Sequence, residues 1–251
     1  MAKALIGGLL SNGAPKTSIN VVDPNTDARK QCESLYQIHT FEIPDHAISK
    51  ANIVVLAVKP NVVRNALAKI RRVYQSQSLL ISVAAGIQIS TLESLIGNAR
   101  AIVRAMPNTP ALVGRGATAV KANLNVNMAE KELVEKIFGA IGIVRWVDEE
   151  KNLDAVTAIS GSGPAYFFLF VELLEKAALE IGLGKELARD LAFETFCGSA
   201  ALLEQSGDPA NVLRAKVTSP GGTTEKALSY FKEKNLYSLY LEAIKQAQKQ
   251  A

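Results

Sequence analysis

The feature that most constrains this chain is a change of hydrophobic period near residue 148. Before it, apolar runs rich in β-branched residues alternate with helical patterns: Ile19-Asn20-Val21-Val22, Ile53-Val54-Val55-Leu56-Ala57-Val58, Leu79-Leu80-Ile81-Ser82-Val83 and Ala101-Ile102-Val103-Arg104. Strands separated by helix-length segments form βαβ units, which assemble into a parallel sheet with helices on both faces. The run over 53–58 does not alternate with polar residues, so it is expected to be covered on both sides. Gly116-Ala117-Thr118-Ala119-Val120, a helix over about 129–140, and Ile143-Val144-Arg145-Trp146-Val147 are expected to extend one sheet edge. From Asp148 onward the pattern is helical throughout. The expectation is an α/β domain over 1–148 and an all-α domain over 149–251. With 251 residues, 48% of them hydrophobic, the chain can fill two ordinary cores.

Ligands of parallel sheets bind at the carboxyl ends of the strands. Those ends read Asp23-Pro24-Asn25, Lys59-Pro60, Ala84-Ala85-Gly86 and Met106-Pro107-Asn108-Thr109-Pro110. Taken singly, such segments also end strands for backbone reasons alone. Lys59 stands apart, because a cation at the tip of a buried strand is placed to meet a phosphate or a carboxamide. Asp23 follows the second strand of a dinucleotide-binding arrangement, where an acid bonds a ribose 2′-hydroxyl and favours NAD over NADP. The neighbouring Asn25 and Arg29 could instead receive a 2′-phosphate, so both cofactors stay open. Such a domain opens with a strand and a G-x-G-x-x-G/A turn ahead of its first helix. This chain opens in an amphipathic helix ending near Gly13, with Gly7 and Gly8 inside it. The expectation is that the chain as given starts after that strand and turn.

The helical half begins with Ser160-Gly161-Ser162-Gly163-Pro164-Ala165, where Ser162 or Gly163 can cap a helix with Pro164 in its first turn. That helix carries Tyr166, Leu169, Phe170, Leu173 and Leu174 on one face, and Phe167, Phe168 and Val171 on the other. A helix apolar on all sides must be surrounded, and roughly 100 residues offer few elements to do so. An interlocked homodimer is expected. Two further stripes, one through Leu187, Leu191, Phe196, Leu202 and Leu203, the other through Leu236, Leu239, Tyr240, Ala243, Ile244 and Ala247, point the same way, although most of these positions, apart from those wrapped around the first helix, are read as core within one chain.

The stretch Thr218-Ser219-Pro220-Gly221-Gly222-Thr223-Thr224-Glu225-Lys226 reads as the start of a helix, capped by Ser219 with Pro220 in the first helical position. Each glycine costs about 1 kcal/mol relative to Ala inside a helix, so the pair makes better sense where something approaches the backbone closely. Free N–H groups at a positive helix end suit a small carboxylate, with the hydroxyls of Thr223 and Thr224 as further donors. A flexible hinge ahead of an ordinary helix is an equal alternative.

Composition narrows the chemistry. Lys and Arg number 28 against 24 Asp and Glu, a net +4 scattered along the chain, which suits anionic small molecules or nucleic acid and specifies neither. Cys32 and Cys197 lie far apart and suggest neither a disulfide framework nor a zinc knuckle, which makes a reducing cytoplasm the simplest compartment. His39 and His46 are the only histidines, too few for a multi-histidine metal site, and both are read as structural or solvated. No uninterrupted apolar run approaches the roughly 18 residues of a membrane helix.

Five segments, taken in order, resemble the pyrroline-5-carboxylate reductases. They are Leu56-Ala57-Val58-Lys59-Pro60, Ser82-Val83-Ala84-Ala85-Gly86, Arg104-Ala105-Met106-Pro107-Asn108-Thr109-Pro110, Ser160-Gly161-Ser162-Gly163-Pro164-Ala165-Tyr166 and Val217-Thr218-Ser219-Pro220-Gly221-Gly222-Thr223-Thr224. Members of that family reduce the cyclic imine 1-pyrroline-5-carboxylate to L-proline with NAD(P)H, the last step of proline biosynthesis. The resemblance implies an α/β Rossmann-like N-terminal domain, here without its first strand, and an all-α C-terminal domain for dimerisation and substrate binding. Dimers of the family often assemble further.

The resemblance also places Ala57, Val58, Lys59, Pro60, Val83, Ala84 and Ala85 along the cofactor, to which the strand ends add Asn25 and Asn108. It places Ser162, Thr223 and Thr224 at the substrate, joined by Ser219 and Gly222 of the glycine turn. NADPH is the expected cofactor, with NADH kept open by Asp23. Neither metal, nucleic acid nor membrane is expected as a partner. No general acid is assigned; Thr224 is the one hydroxyl offered for proton delivery. Two rivals remain. A related hydroxy-acid dehydrogenase would use a lysine base that has no counterpart in 160–166, and a dimeric scaffold without catalysis would account for the absent glycine turn.

Overall fold

The computed structural model describes residues 1–251 apart from Ser76, and their side chains apart from that of His46. The reading of His46 thus lies outside the described residues, while His39 is exposed. The chain forms two compact units, Met1–Ser162 with Gln248–Ala251, and Gly163–Ala247.

In chain order the first unit contains α1 (Ala2–Ser11), β1 (Asn20–Val22), α2 (Thr26–Tyr36), β2 (His39–Phe41), α3 (Asp45–Ser49), β3 (Ile53–Leu56) and α4 (Val63–Ile70). It continues with β4 (Leu79–Ser82), α5 (Ile89–Ile96), β5 (Ile102–Met106), β6 (Gly116–Ala122), α6 (Met128–Gly139), β7 (Gly142–Trp146) and α7 (Asn152–Val156). Strands β3 to β7 form one sheet in sequence order, parallel from β3 to β5, with β6 antiparallel to β5 and parallel to β7. Strands β1 and β2 form a separate parallel pair. The sequence carries no sign of β2, because His39-Thr40-Phe41 has no apolar run and becomes a strand through its pairing with β1.

Every residue of β4 is buried, and its alternate side chains feed two different cores. Leu80 joins Leu56, Ile102 and the helix residues Leu67 and Leu92. Leu79 and Ile81 join Val103, Val120, Val134 and Phe138. The expected double coverage is thus complete at β4. On β3 it is uneven, with Val54 and Leu56 buried in the first core, and Ile53 and Val55, half-buried, packed against the second. Gly8 lies inside α1 where that helix crosses the α6–β7 turn. A Cβ there would stand 2.4 Å from Ile141 Cγ2 and 2.6 Å from the Ala140 carbonyl oxygen, so the glycine serves close packing.

The second unit is wholly helical: α8 (Gly163–Glu180), α9 (Lys185–Ser206), α10 (Ala210–Lys216), α11 (Thr223–Glu233) and α12 (Leu236–Lys249). Phe167 of α8 meets Phe196 of α9 with ring centroids 5.9 Å apart, and Phe170 stacks on Tyr240 of α12 at 6.4 Å. The stripes of α9 and α12 are nevertheless not an intrachain core. Leu187, Leu191, Leu202, Leu203 and Leu239 are all exposed, and Ala188 and Ala192 are the buried apolar residues of α9.

Candidate functional site

Parallel pairing in register, Leu56 opposite Ser82 and Ser82 opposite Arg104, brings the carboxyl ends of β3, β4 and β5 to one edge of the sheet. Residues 57–60 and 83–85 leave from that edge, as does the loop carrying Asn108. Lys59 is exposed, has extended backbone ahead of a short turn at Pro60–Val62, and has no ion-pair partner among the described residues. Pro60 and Ala85 are exposed and Ala57, Val58 and Val83 half-buried, while the Ala84 side chain lies in the core. A ligand here would meet the ammonium of Lys59 and main-chain groups rather than the Ala84 methyl.

The end of β1 is a hydrogen-bonded cluster. Asn25 caps α2, its Oδ1 accepting from the Ala28 N–H at 3.0 Å, and its own N–H donates to Asp23 Oδ1 at 2.8 Å. Arg29 donates to the Asp23 carbonyl at 2.8 Å and pairs with the exposed Glu42 at 3.2 Å. A carboxylate and a guanidinium thus sit together, which is the donor set for either a ribose diol or a 2′-phosphate.

Asn108 is occupied at both ends of its amide. Its Nδ2 donates to the Ser160 carbonyl at 3.0 Å and its Oδ1 accepts from the Ala117 N–H at 2.9 Å. Residues Thr157–Gly161 form a π-helical turn continuous with α7, closed by the Ser162 N–H donating to the Thr157 carbonyl at 2.8 Å. Ser162 ends this turn and is half-buried. The sequence alone gave no role to Arg104, Glu150 or Asp154. The Arg104 side chain is 5% exposed, and its fork is split between Glu150 at 3.1 Å and Asp154 at 3.3 Å. Glu150 also accepts the Ile89 N–H at 2.8 Å. A charged residue closing an otherwise apolar strand was the available signal.

In the second unit the helix starts later than expected. Ser219 to Gly222 form a tight turn in which the Gly222 N–H donates to the Ser219 carbonyl at 3.0 Å. Pro220 in second place and Gly221 at φ +73° in third give it type II character, which explains Gly221 by conformation. Gly222 is the N-cap of α11, so Ser219 does not cap this helix and Pro220 lies outside it. The first main-chain bond is from the Lys226 N–H to the Gly222 carbonyl at 3.2 Å. The N–H groups of Thr223, Thr224 and Glu225 have no main-chain acceptor among the described residues, as expected of a first helical turn. Thr223 is exposed and Thr224 half-buried. The turn already holds a carboxylate, since the Gly221 N–H donates to Glu225 Oε2 at 2.7 Å. Among the described residues no three His, Cys, Asp or Glu side chains are grouped to hold a metal.

Comparison with known proteins gives this arrangement its class. Residues 1–86 match the family described as NADP oxidoreductase coenzyme F420-dependent, and residues 150–251 match that described as pyrroline-5-carboxylate reductase dimerisation. The molecule is an oxidoreductase with a Rossmann-like domain for a nicotinamide cofactor and a helical domain for self-association. The chain is 39% identical to pyrroline-5-carboxylate reductase of Pseudomonas aeruginosa over 98% of its own length and 90% of that protein's. It superposes on the pyrroline-5-carboxylate reductase of Coxiella burnetii with a TM-score of 0.93 at 37% identity, covering 99% of this chain and 93% of that one. For the Plasmodium falciparum pyrroline carboxylate reductase, solved with NADP bound, the TM-score is 0.85 at 32% identity, covering 99% and 92%. The chain belongs to the pyrroline-5-carboxylate reductase family. None of these relatives favours a scaffold without catalysis.

Proposed function

We propose that this chain reduces 1-pyrroline-5-carboxylate to L-proline, a bound NADPH supplying the hydride that adds to the imine carbon. The reading combines kinship along nearly the whole chain with one observation, the glycine turn ahead of α11 that presents free amides and already takes a carboxylate. The N–H groups and hydroxyls of Thr223 and Thr224 hold the substrate carboxylate, and Ser219 and Gly222 shape the turn that leaves them accessible. Ser162 borders the ring. The protein's main task is to hold donor and acceptor at attack distance. A protonated imine needs no further acid, and for a neutral imine the Thr224 hydroxyl is our candidate to pass on a proton.

On the cofactor side Lys59 meets a phosphate or the carboxamide, and Ala57, Val58, Pro60, Val83, Ala84 and Ala85 line the carrier with main chain and small side chains. Asn25 and Arg29 receive the 2′-phosphate once Arg29 turns from the exposed Glu42, which favours NADPH, and Asp23 lets NADH serve in its place. Asn108 supports this edge from below. Residues 1–148 are the cofactor domain, and 149–251 the dimerisation and substrate domain of a homodimer that can assemble further. The free thiols of Cys32 and Cys197 fit a cytoplasmic enzyme.

Thr224→Ala should raise the KM for the imine about tenfold, the equivalent of one lost hydrogen bond to a charged group, with NADPH binding unchanged. Lys59→Met should do the reverse. An imine KM that ignores Thr224→Ala refutes the carboxylate clamp.

A further inference from the structure

We propose that Arg104 is a positioning residue for the imine substrate, acting through the π turn that ends at Ser162. The proposal rests on the reading of Ser162 as a border of the substrate ring. Arg104, Met106 and Asn108 are alternate residues of β5 and its continuation, so they project to one side, while Val103 and Ala105 project into the core on the other. All three of the first set reach the same segment. Arg104 pairs with Glu150 and Asp154 on either side of the start of α7, and Asn108 Nδ2 holds the Ser160 carbonyl. The Met106 methyl lies so near Gly161 that a Cβ there would stand 2.7 Å from it. One strand face thus grips α7 and its π turn at three successive levels, and π turns inside helices recur at functional sites.

Arg104 is the member whose geometry is most demanding. With its side chain 5% exposed, Arg104 has little access to water, so its partners must stay within bonding distance, and its planar fork fixes where the two carboxylates lie. Glu150 transmits the constraint to the first residue of α5 through the Ile89 N–H. Because α7 runs into the π turn without a break, rotation of α7 about this anchor displaces Ser160 and Ser162. Arg104, Glu150 and Asp154 take no part in holding substrate or cofactor in the proposed reaction, so their influence passes through the turn alone.

The test is steady-state kinetics on the full chain with the KM values for imine and NADPH measured separately. Asp154→Asn changes a carboxylate that is 38% exposed and should be tolerated by the fold. It should raise the imine KM about tenfold, as a small displacement of a positioning group does, and leave that for NADPH within about twofold. Arg104→Lys keeps the charge but cannot span two carboxylates, so it should reproduce the Asp154→Asn values, and the double variant should be no worse than either single one. Ser162→Ala should raise the imine KM as well. If Ser162→Ala does so while Asp154→Asn and Arg104→Lys lower only the melting temperature, the positioning role is refuted and the reading of Ser162 stands. Additive effects of the two substitutions on the imine KM also refute it. If Ser162→Ala leaves the imine KM unchanged, the reading of Ser162 and the inference fall together.

Discussion

Strand β4 in the first unit and helix α8 in the second are both built from nearly uninterrupted apolar sequence, yet their surroundings differ completely. Leu79, Leu80, Ile81 and Ser82 are at most 1% exposed, whereas Phe167, Phe168, Leu169 and Phe170 are 44–68% exposed. A central strand has a neighbour on each edge and a layer on each face, so four residues are enough to be sealed. A helix apolar all round needs a ring of partners, and among the described residues the aromatic contacts of α8 are with α9 and α12. A large apolar side chain left wholly in water forgoes about 1.5–3 kcal/mol, and these side chains forgo roughly half of that each. The first unit closes its own core, whereas the second leaves apolar faces open, in keeping with the oligomerisation that its match to a dimerisation family supports. The helical stretch Asn152–Glu180 is also long and apolar enough to cross a membrane by length and composition, and it lies wholly within the residues that match the dimerisation family.

The sharpest way to break this contrast is to place the same charge in both regions. Phe168→Asp should weaken self-association at least 1000-fold, since an unpaired carboxylate in an apolar contact costs about 4 kcal/mol or more, and sedimentation should then show a monomer. Leu80→Asp should abolish folding at every protein concentration. A Phe168→Asp protein that stays dimeric at micromolar concentration would mean that the α8 face is not the contact.

Much of this contrast could be read in the sequence, and the failures have physical causes. Strands β3, β4 and β5 are legible because a parallel sheet demands continuous β-branched runs, and α8 is legible as unpartnered because Phe167 and Phe168 spoil its amphipathicity. The stripes of α9 and α12 look identical whether they face the same chain or a second one, so Leu191 and Leu202, read as core within one chain, prove exposed in it. In the glycine turn the sequence revealed the free amides but misplaced the helix start, because Ser-Pro reads equally as a cap followed by a first turn or as the opening of a type II turn. The Arg104 anchor was hidden because its partners lie 46 and 50 residues away.

Two glycines sharpen the comparison at smaller cost. Gly8→Ala would press a methyl group against the Ala140 carbonyl, a backbone group that cannot move aside, and should cost about 1–3 kcal/mol at any protein concentration. Gly198 sits in the middle of α9 on the face of Leu191 and Leu202, and a Cβ there meets nothing within 4 Å in one copy. In an isolated chain Gly198→Ala should stabilise the helix by about 1 kcal/mol. With that stripe in the contact between copies, the dimer should instead bind about tenfold more weakly, as small overpacked contacts do. A Gly198→Ala dimer that is tighter than the parent would show this face to be solvent-exposed in the assembly.

The smallest effect concerns a self-contained core and needs alkaline pH. Tyr74 is 5% exposed, its hydroxyl donates to the Ser78 carbonyl, and Arg100 lies 5.3 Å from its ring centroid. Burial raises the phenol well above its ordinary value, with Arg100 opposing. The folded state therefore holds the proton more tightly than the unfolded chain. The stabilisation is complete below the unfolded pKa of about 10 and is lost as pH rises from there toward the folded value. Burial raises the Cys32 thiol in the same sense, so the measurement is best made in a Cys32→Ala background. Thermal melts there should fall above about pH 10, and Tyr74→Phe should remove that fall at the cost of about 1 kcal/mol at neutral pH from the lost hydrogen bond. Because Tyr74 belongs to the core the first unit closes for itself, the slope should not change with protein concentration. A slope that steepens on dilution would place its origin at the contact between copies and remove this residue from the comparison.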